Sequence, residues 1–84
     1  MWLRLQSCET LINEDNIVKI FAETAPKGTI GIYATLVTGE RMLLGVFVTS
    51  SQAKAFLNSI QDHIDKAVHV VDIQPLVNLA NLSS

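Results

Sequence analysis

A chain of 84 residues, 49% apolar and only 17% charged, makes one small domain whose surface is short of charge, since typical soluble domains run at about 25% charged. Its net charge is −2, and Arg4, Lys19, Lys27, Arg41, Lys54 and Lys66 are scattered rather than clustered, which argues against nucleic acid as a direct partner. No apolar run reaches membrane-spanning length, no basic start leads into a signal-like apolar core, and the single Cys8 has no intrachain partner, so the expected compartment is the cytoplasm.

The chain opens on Trp2–Gln6, an alternating stretch with Leu3 and Leu5 on one side, which reads as a short strand. Ser7-Cys8-Glu9 is a turn candidate, and Thr10–Ile12 completes a small N-terminal hairpin. The polar cluster Asn13-Glu14-Asp15-Asn16 reads as a second turn. Ile17–Thr24 fits two readings. As a strand it carries Val18, Ile20 and Ala22 on one face and Ile17, Lys19, Phe21 and Glu23 on the other. As a helix it has Asn13 as a cap and Ile17, Ile20 and Phe21 at helical spacing. Its β-branched and aromatic content favours the strand. Ala25-Pro26-Lys27-Gly28 is the turn that follows.

Thr29–Val48 organises the rest: two alternating apolar runs with Gly39 between them, the pattern of a β-hairpin. Ile30, Ile32, Ala34 and Leu36 share one face of the first run, and Met42, Leu44, Val46 and Val48 one face of the second. A loop of Val37-Thr38-Gly39 puts both sets on the same side, pairing Ala34 with Met42, Ile32 with Leu44 and Ile30 with Val46. It also places Gly39 where such a loop needs a left-handed residue. The other face then carries Tyr33, Val37, Leu43 and Phe47, softened by Thr35 and Arg41. Gly31 is set opposite Gly45 in a gap that Tyr33 or Phe47 can lean across.

Thr49–Lys66 is a helix. Thr49 and Gln52 have capping-box spacing, Val48 is placed to staple onto Ala53, and Ala53, Phe56, Leu57, Ile60, Ile64 and Ala67 form its apolar stripe. Lys54, Asn58, Gln61, Asp62 and Asp65 fall on the wet side. Val68–Ile73 is a candidate fifth strand. Pro75 suits the first turn of a second helix over Leu76–Leu82, with Leu76, Leu79 and Ala80 as its apolar side.

Few side chains here carry chemistry. Cys8 has no neighbouring histidine in the sequence. His63 and Asp62 are adjacent on a helix and do not face each other. His63 and His69 fall on either side of a break between elements, with no second cysteine or carboxylate cluster to complete a metal site. Gly28, Gly31, Gly39 and Gly45 belong to turns and a sheet rather than a phosphate loop. The expectation is therefore no catalytic residue, no cofactor and no metal.

A short strand through Leu11 and Ile12, the Asn13-Glu14-Asp15 turn and the Ile17–Ile20 strand start are followed by Glu23-Thr24, Thr29-Ile30, Thr38-Gly39-Glu40-Arg41 and a Ser/Gln-led helix. This order resembles the small FlbD-type proteins linked to flagellar gene clusters, and other short bacterial proteins of unknown function, over roughly residues 3–64. The resemblance implies a strand at Ile17–Thr24 and a non-enzymatic role. It brings no catalytic residues to carry over.

The expected architecture is a single α+β domain over 1–84, with an antiparallel sheet of four to five strands, one main helix on one face and a short C-terminal helix. The expected function is a small cytoplasmic interaction or regulatory module, working as a homo-oligomer, most simply a homodimer, or as a subunit with another protein. A face that the helix leaves bare needs other cover, so the expected interface is Tyr33, Val37, Leu43, Phe47, Leu76 and Leu79. The alternative is a ligand-binding or enzymatic protein whose cleft lies at a dimer interface.

Overall fold

A computed structural model describes residues 1–5, 10–67 and 69–82. The turn expected at Ser7-Cys8-Glu9, and Cys8 itself, lie outside the described residues. Strand β1 (Trp2–Arg4) pairs antiparallel with β2 (Leu11–Asn13), with Leu3 opposite Ile12 and both buried. The Asn13 side chain then accepts from the Asp15 N–H at 3.0 Å and caps one 3-10 turn, Glu14–Asn16. Three antiparallel strands follow: β3 (Ile17–Thr24), β4 (Ile30–Leu36) and β5 (Arg41–Phe47). Helix α1 (Ser50–Asp65), strand β6 (Val70–Asp72) and helix α2 (Ile73–Asn81) complete the chain.

The fold is α+β, but its strands do not form the one sheet of four to five expected from the sequence. They form two sheets of three, ordered β2-β1-β6 and β3-β4-β5. The 3-10 turn takes the chain out of line after β2, so the N-terminal hairpin does not extend the larger sheet. The strand after α1 joins the free side of β1 in parallel, Leu3 beside Val71. The Trp2 N–H donates to the His69 carbonyl at 2.9 Å and leads that pairing in.

The hairpin turn is the expected one. Gly39 has φ +91, the Leu36 N–H donates to the Glu40 carbonyl at 2.8 Å, and Ala34 faces Met42. Past Tyr33 the register departs from expectation. A bulge shifts the ladder, so Ile32 faces Gly45 and Ile30 faces Phe47. The extra residue reverses the face of all that follows it. Leu44 and Phe47 both turn inward and are fully buried, while Val46 points out at 48% exposure. Gly31 and Gly45 are therefore not opposed. Tyr33 leans over Gly31 on the outer face, and Phe47 leans over Gly45 on the inner one. A second shift falls between Ile17 and Lys19, leaving Val18 outside the ladder at 64% exposure. It brings Ile17 to the core side with Ile20.

Helix α1 starts as its sequence dictates. Thr49 accepts from the Gln52 N–H at 3.2 Å, and the Gln52 side chain reaches back to Thr49, closing the capping box. The hydrophobic staple does not form. Val48 is 72% exposed, and it is its N–H that Gln52 Oε1 accepts, at 3.1 Å. Helix α2 begins at Ile73, earlier than expected, with Pro75 inside its first turn where a missing N–H costs nothing. Its buried residues are Ile73, Leu76, Val77 and Ala80, so Leu79 falls on the outer side.

Both helices pack on the same face of the β3-β4-β5 sheet. Phe56 of α1 meets Phe47 with ring centroids 5.2 Å apart. On α2, Val77 comes so close to the sheet at Gly45 that a Cβ there would lie 2.9 Å from its Cγ2. Leu3, Ile12 and Val71 of the smaller sheet join Ile32, Leu44, Phe56 and Ile73 in one continuous core.

Candidate interaction surface

Because both helices share the inner face, no helix among the described residues lies over the outer face of β3-β4-β5. The register lines up Phe21, Tyr33 and Leu43 across the three strands. Phe21 and Tyr33 stack with centroids 5.7 Å apart and planes 26° from parallel. Two cations lie over the rings. Arg41 Cζ sits 4.5 Å from the Tyr33 centroid and 5.3 Å from that of Phe21, and Lys19 Nζ sits 5.0 Å from Phe21. Arg41 reaches this place from β5 by crossing the rings to Glu23 on β3, where Nη2 and Oε2 are 2.7 Å apart. Both ends of that pair are half exposed, so the contact is worth about 0–1 kcal/mol and fixes geometry more than stability. Cation–aromatic contacts at such sites add about 0.5–1 kcal/mol. Leu43 and Val46, each 48% exposed, extend the patch along β5.

The same sheet has a long open edge. Among the described residues, strand β3 pairs only with β4, and it is solvent-facing along most of its length. The Ala25 N–H donates to the Thr29 carbonyl at 2.8 Å. Antiparallel alternation therefore turns the backbone groups of Lys19, Phe21 and Glu23 toward β4 and those of Ile20, Ala22 and Thr24 toward the open edge.

Behind that edge, between β3 and α1, lies a groove of about 530 Å³. Ile17, Ile20, Leu57 and Ile60 give it an apolar lining, with Glu14, Asn58 and Gln61 as polar members, while the Lys19 ammonium lies over the Phe21 ring on the outer face. The Glu14 Oε2 atom is buried without a hydrogen-bond partner.

The residues expected at the interface separate into groups. Tyr33 and Leu43 face one another on the outer surface. Val37, 62% exposed, stands at the hairpin tip. Leu79 is exposed on α2, on the opposite side of the sheet. Phe47 and Leu76 are buried in the core of the single chain. Phe47 moved because the bulge reversed its face, and Leu76 because α2 lies flat on that inner face. Sequence reasoning misses Phe21 and Val46 as members of this surface, and it places Arg41 on the face without its reach over the rings to Glu23. The pairing of Phe21 with Tyr33 follows from the sequence only with Ile17–Thr24 as a strand beside Ile30–Leu36.

The histidines sit apart from this surface. His63 Nδ1 donates to the Ser59 carbonyl one turn back, at 2.7 Å. Among the described residues, no group of three or more His, Cys, Asp or Glu could hold a metal ion. Among them, too, no helix is long and apolar enough to cross a membrane. Comparison with protein-family models, curated proteins and solved structures gives no match to this chain.

Proposed function

We propose that this protein is a small cytoplasmic interaction module, without catalytic activity of its own, that works as a homo-oligomer. The observation that carries the reading is the uncovered face of the larger sheet. An antiparallel sheet packed on one side ordinarily shows a polar face to water. Here that face holds a half-buried Phe21–Tyr33 stack under Arg41 and Lys19, with the half-exposed Leu43 and Val46 beside it, next to an edge strand that among the described residues pairs on one side only. Contiguous apolar surface of this kind marks interaction sites. The resemblance to FlbD-type proteins implies a non-enzymatic role. Sedimentation velocity at micromolar concentration tests the proposal. A species of at least twice the 9.2 kDa chain mass supports it, and a monomer across the accessible range refutes it.

A second reading is favoured by the groove beside β3. A groove of about 530 Å³ lined by Leu3, Ile17, Ile20, Leu57 and Ile60 with Asn58 and Gln61 beside them suits a small, mainly apolar ligand with a polar end. Native mass spectrometry of protein purified without denaturation distinguishes the two. Retained small-molecule mass supports the ligand reading, and a bare chain mass opposes it.

A further inference from the structure

We infer that the partner at the open edge is a second copy of this chain, with β3 pairing antiparallel to β3 about a twofold axis through Phe21. This deepens the self-association proposed above and rests on it.

The pairing follows from the order of residues on the strand. Lys19 and Glu23 stand two residues either side of Phe21, on the same outer face. A twofold axis at Phe21 sets Lys19 of one copy directly opposite Glu23 of the other, and Glu23 opposite Lys19. Opposite charges then meet at both symmetry-related places, which is the cross-strand arrangement that stabilises antiparallel pairs. Moving the axis by one residue destroys this. Centred on Ile20, Lys19 faces Phe21; centred on Ala22, Glu23 faces Phe21.

The backbone agrees with the same register. Phe21, Lys19 and Glu23 have their N–H and C=O groups turned toward β4, so across the new edge they form the closely spaced, non-hydrogen-bonded positions where side chains approach most nearly. Ile20 and Ala22 have theirs turned outward, and in this register Ile20 of one copy lies opposite Ala22 of the other. Each such pair exchanges both backbone hydrogen bonds. Two three-stranded sheets become one continuous sheet, and the Phe21–Tyr33 stack of each copy meets its twin at the axis. The Arg41 contact takes Glu23 Oε2 from one side, while the partner strand approaches from the other. Bulges blunt sheet edges against pairing. The bulge in β3 lies between Ile17 and Lys19, outside the window from Lys19 to Glu23 that the pairing needs.

Charge exchange tests this register. Lys19→Glu alone places carboxylates opposite carboxylates, and Glu23→Lys alone places ammonium groups opposite ammonium groups. Each single variant is expected to raise the dimer dissociation constant by about a hundredfold, from two contacts turned from attraction to repulsion. An equimolar mixture of the two variants is expected to recover association close to that of the parent, because every facing pair in the heterodimer is again of opposite sign. The readout is sedimentation velocity of the parent, each variant and the mixture. Lys19 and Glu23 are both exposed, and the recovery in the mixture excludes fold damage as the cause of dissociation. A parent dimer whose single variants remain equally dimeric overturns this interface and leaves self-association through the outer face standing. Variants that dissociate but do not recover on mixing overturn the register. A parent that is monomeric throughout overturns both proposals and leaves the edge to an extended segment of another protein.

Discussion

Two glycines in the larger sheet offer a matched perturbation, because a Cβ would meet a close neighbour at each, but a different kind of neighbour. At Gly45 it would lie 2.9 Å from Val77 Cγ2 and 3.1 Å from the Phe47 ring. Both residues are buried, one on α2 and one at the centre of the core, so neither can move without opening packing elsewhere. Gly45→Ala should therefore carry an overpacking cost of about 1–3 kcal/mol. Restricting the unfolded chain returns about 0.4–1 kcal/mol of this. A net loss near 1.5 kcal/mol lowers the melting temperature of a domain this size by about 10 °C. At Gly31 the Cβ would lie 2.8 Å from the Tyr33 ring, which stands on the outer face and can swing toward solvent. Gly31→Ala should cost only the Phe21–Tyr33 stacking, about 0.5–1.5 kcal/mol, largely offset by the same entropic gain. Thermal melts of both variants followed by circular dichroism decide the matter. Equal losses, or a larger loss at Gly31, would show that α2 does not pack on the sheet at Gly45.

Other changes probe the rest of the fold. Phe56→Ala removes a fully buried ring from contact with Phe47 and should cost about 3–5 kcal/mol, a large part of the stability of such a domain; a denaturant midpoint close to the parent's would contradict the packing of α1. Gly39→Val puts a β-branched residue at φ +91 and should destabilise by at least about 1–2 kcal/mol in the same titration. Ala67, just past the end of α1, has φ +54, a conformation that favours glycine. Ala67→Gly should accordingly raise stability by about 0.5–1 kcal/mol, and a loss would show that the helix ends differently.

Local chemistry was legible in the sequence wherever a few neighbouring residues settle the outcome. The Thr49/Gln52 capping box, the Gly39 turn, the Asn13 turn and the Ala53, Phe56 and Ile60 part of the helix stripe all follow from side chains acting within one turn or one loop, whereas Ile64 is 37% exposed and Ala67 lies past the helix end. The bulges were not legible, because they break the period on which the strand argument depends. An extra residue at Val18 puts Ile17 and Ile20 on one face, which is helical spacing inside a strand. One at Leu44 does the same for Leu44 and Phe47. This is why Ile17–Thr24 admitted a helix and why Phe47 was assigned to the outer surface. The pairing of β1 with β6 was hidden for another reason. It joins the two ends of the chain through strands of three residues each, and no local pattern encodes such a partner. Tyr33, Leu43 and the place of Arg41 on their face follow from hairpin alternation alone. Phe21 needs the register of β3 against β4, Val46 the bulge that turns it outward, and the Arg41–Glu23 contact the reach of a long side chain across the sheet.

The most direct test of the open β3 edge as the self-association surface is amide hydrogen exchange on this strand, followed by NMR over a range of protein concentrations. Lys19, Phe21 and Glu23 N–H groups face β4 and should be protected at every concentration. Ile20 and Ala22 N–H groups face the open edge. They should be protected at high concentration and lose that protection on dilution, in step with dissociation of the dimer. Rapid exchange of Ile20 and Ala22 at all concentrations, with Lys19, Phe21 and Glu23 still protected, would contradict the account.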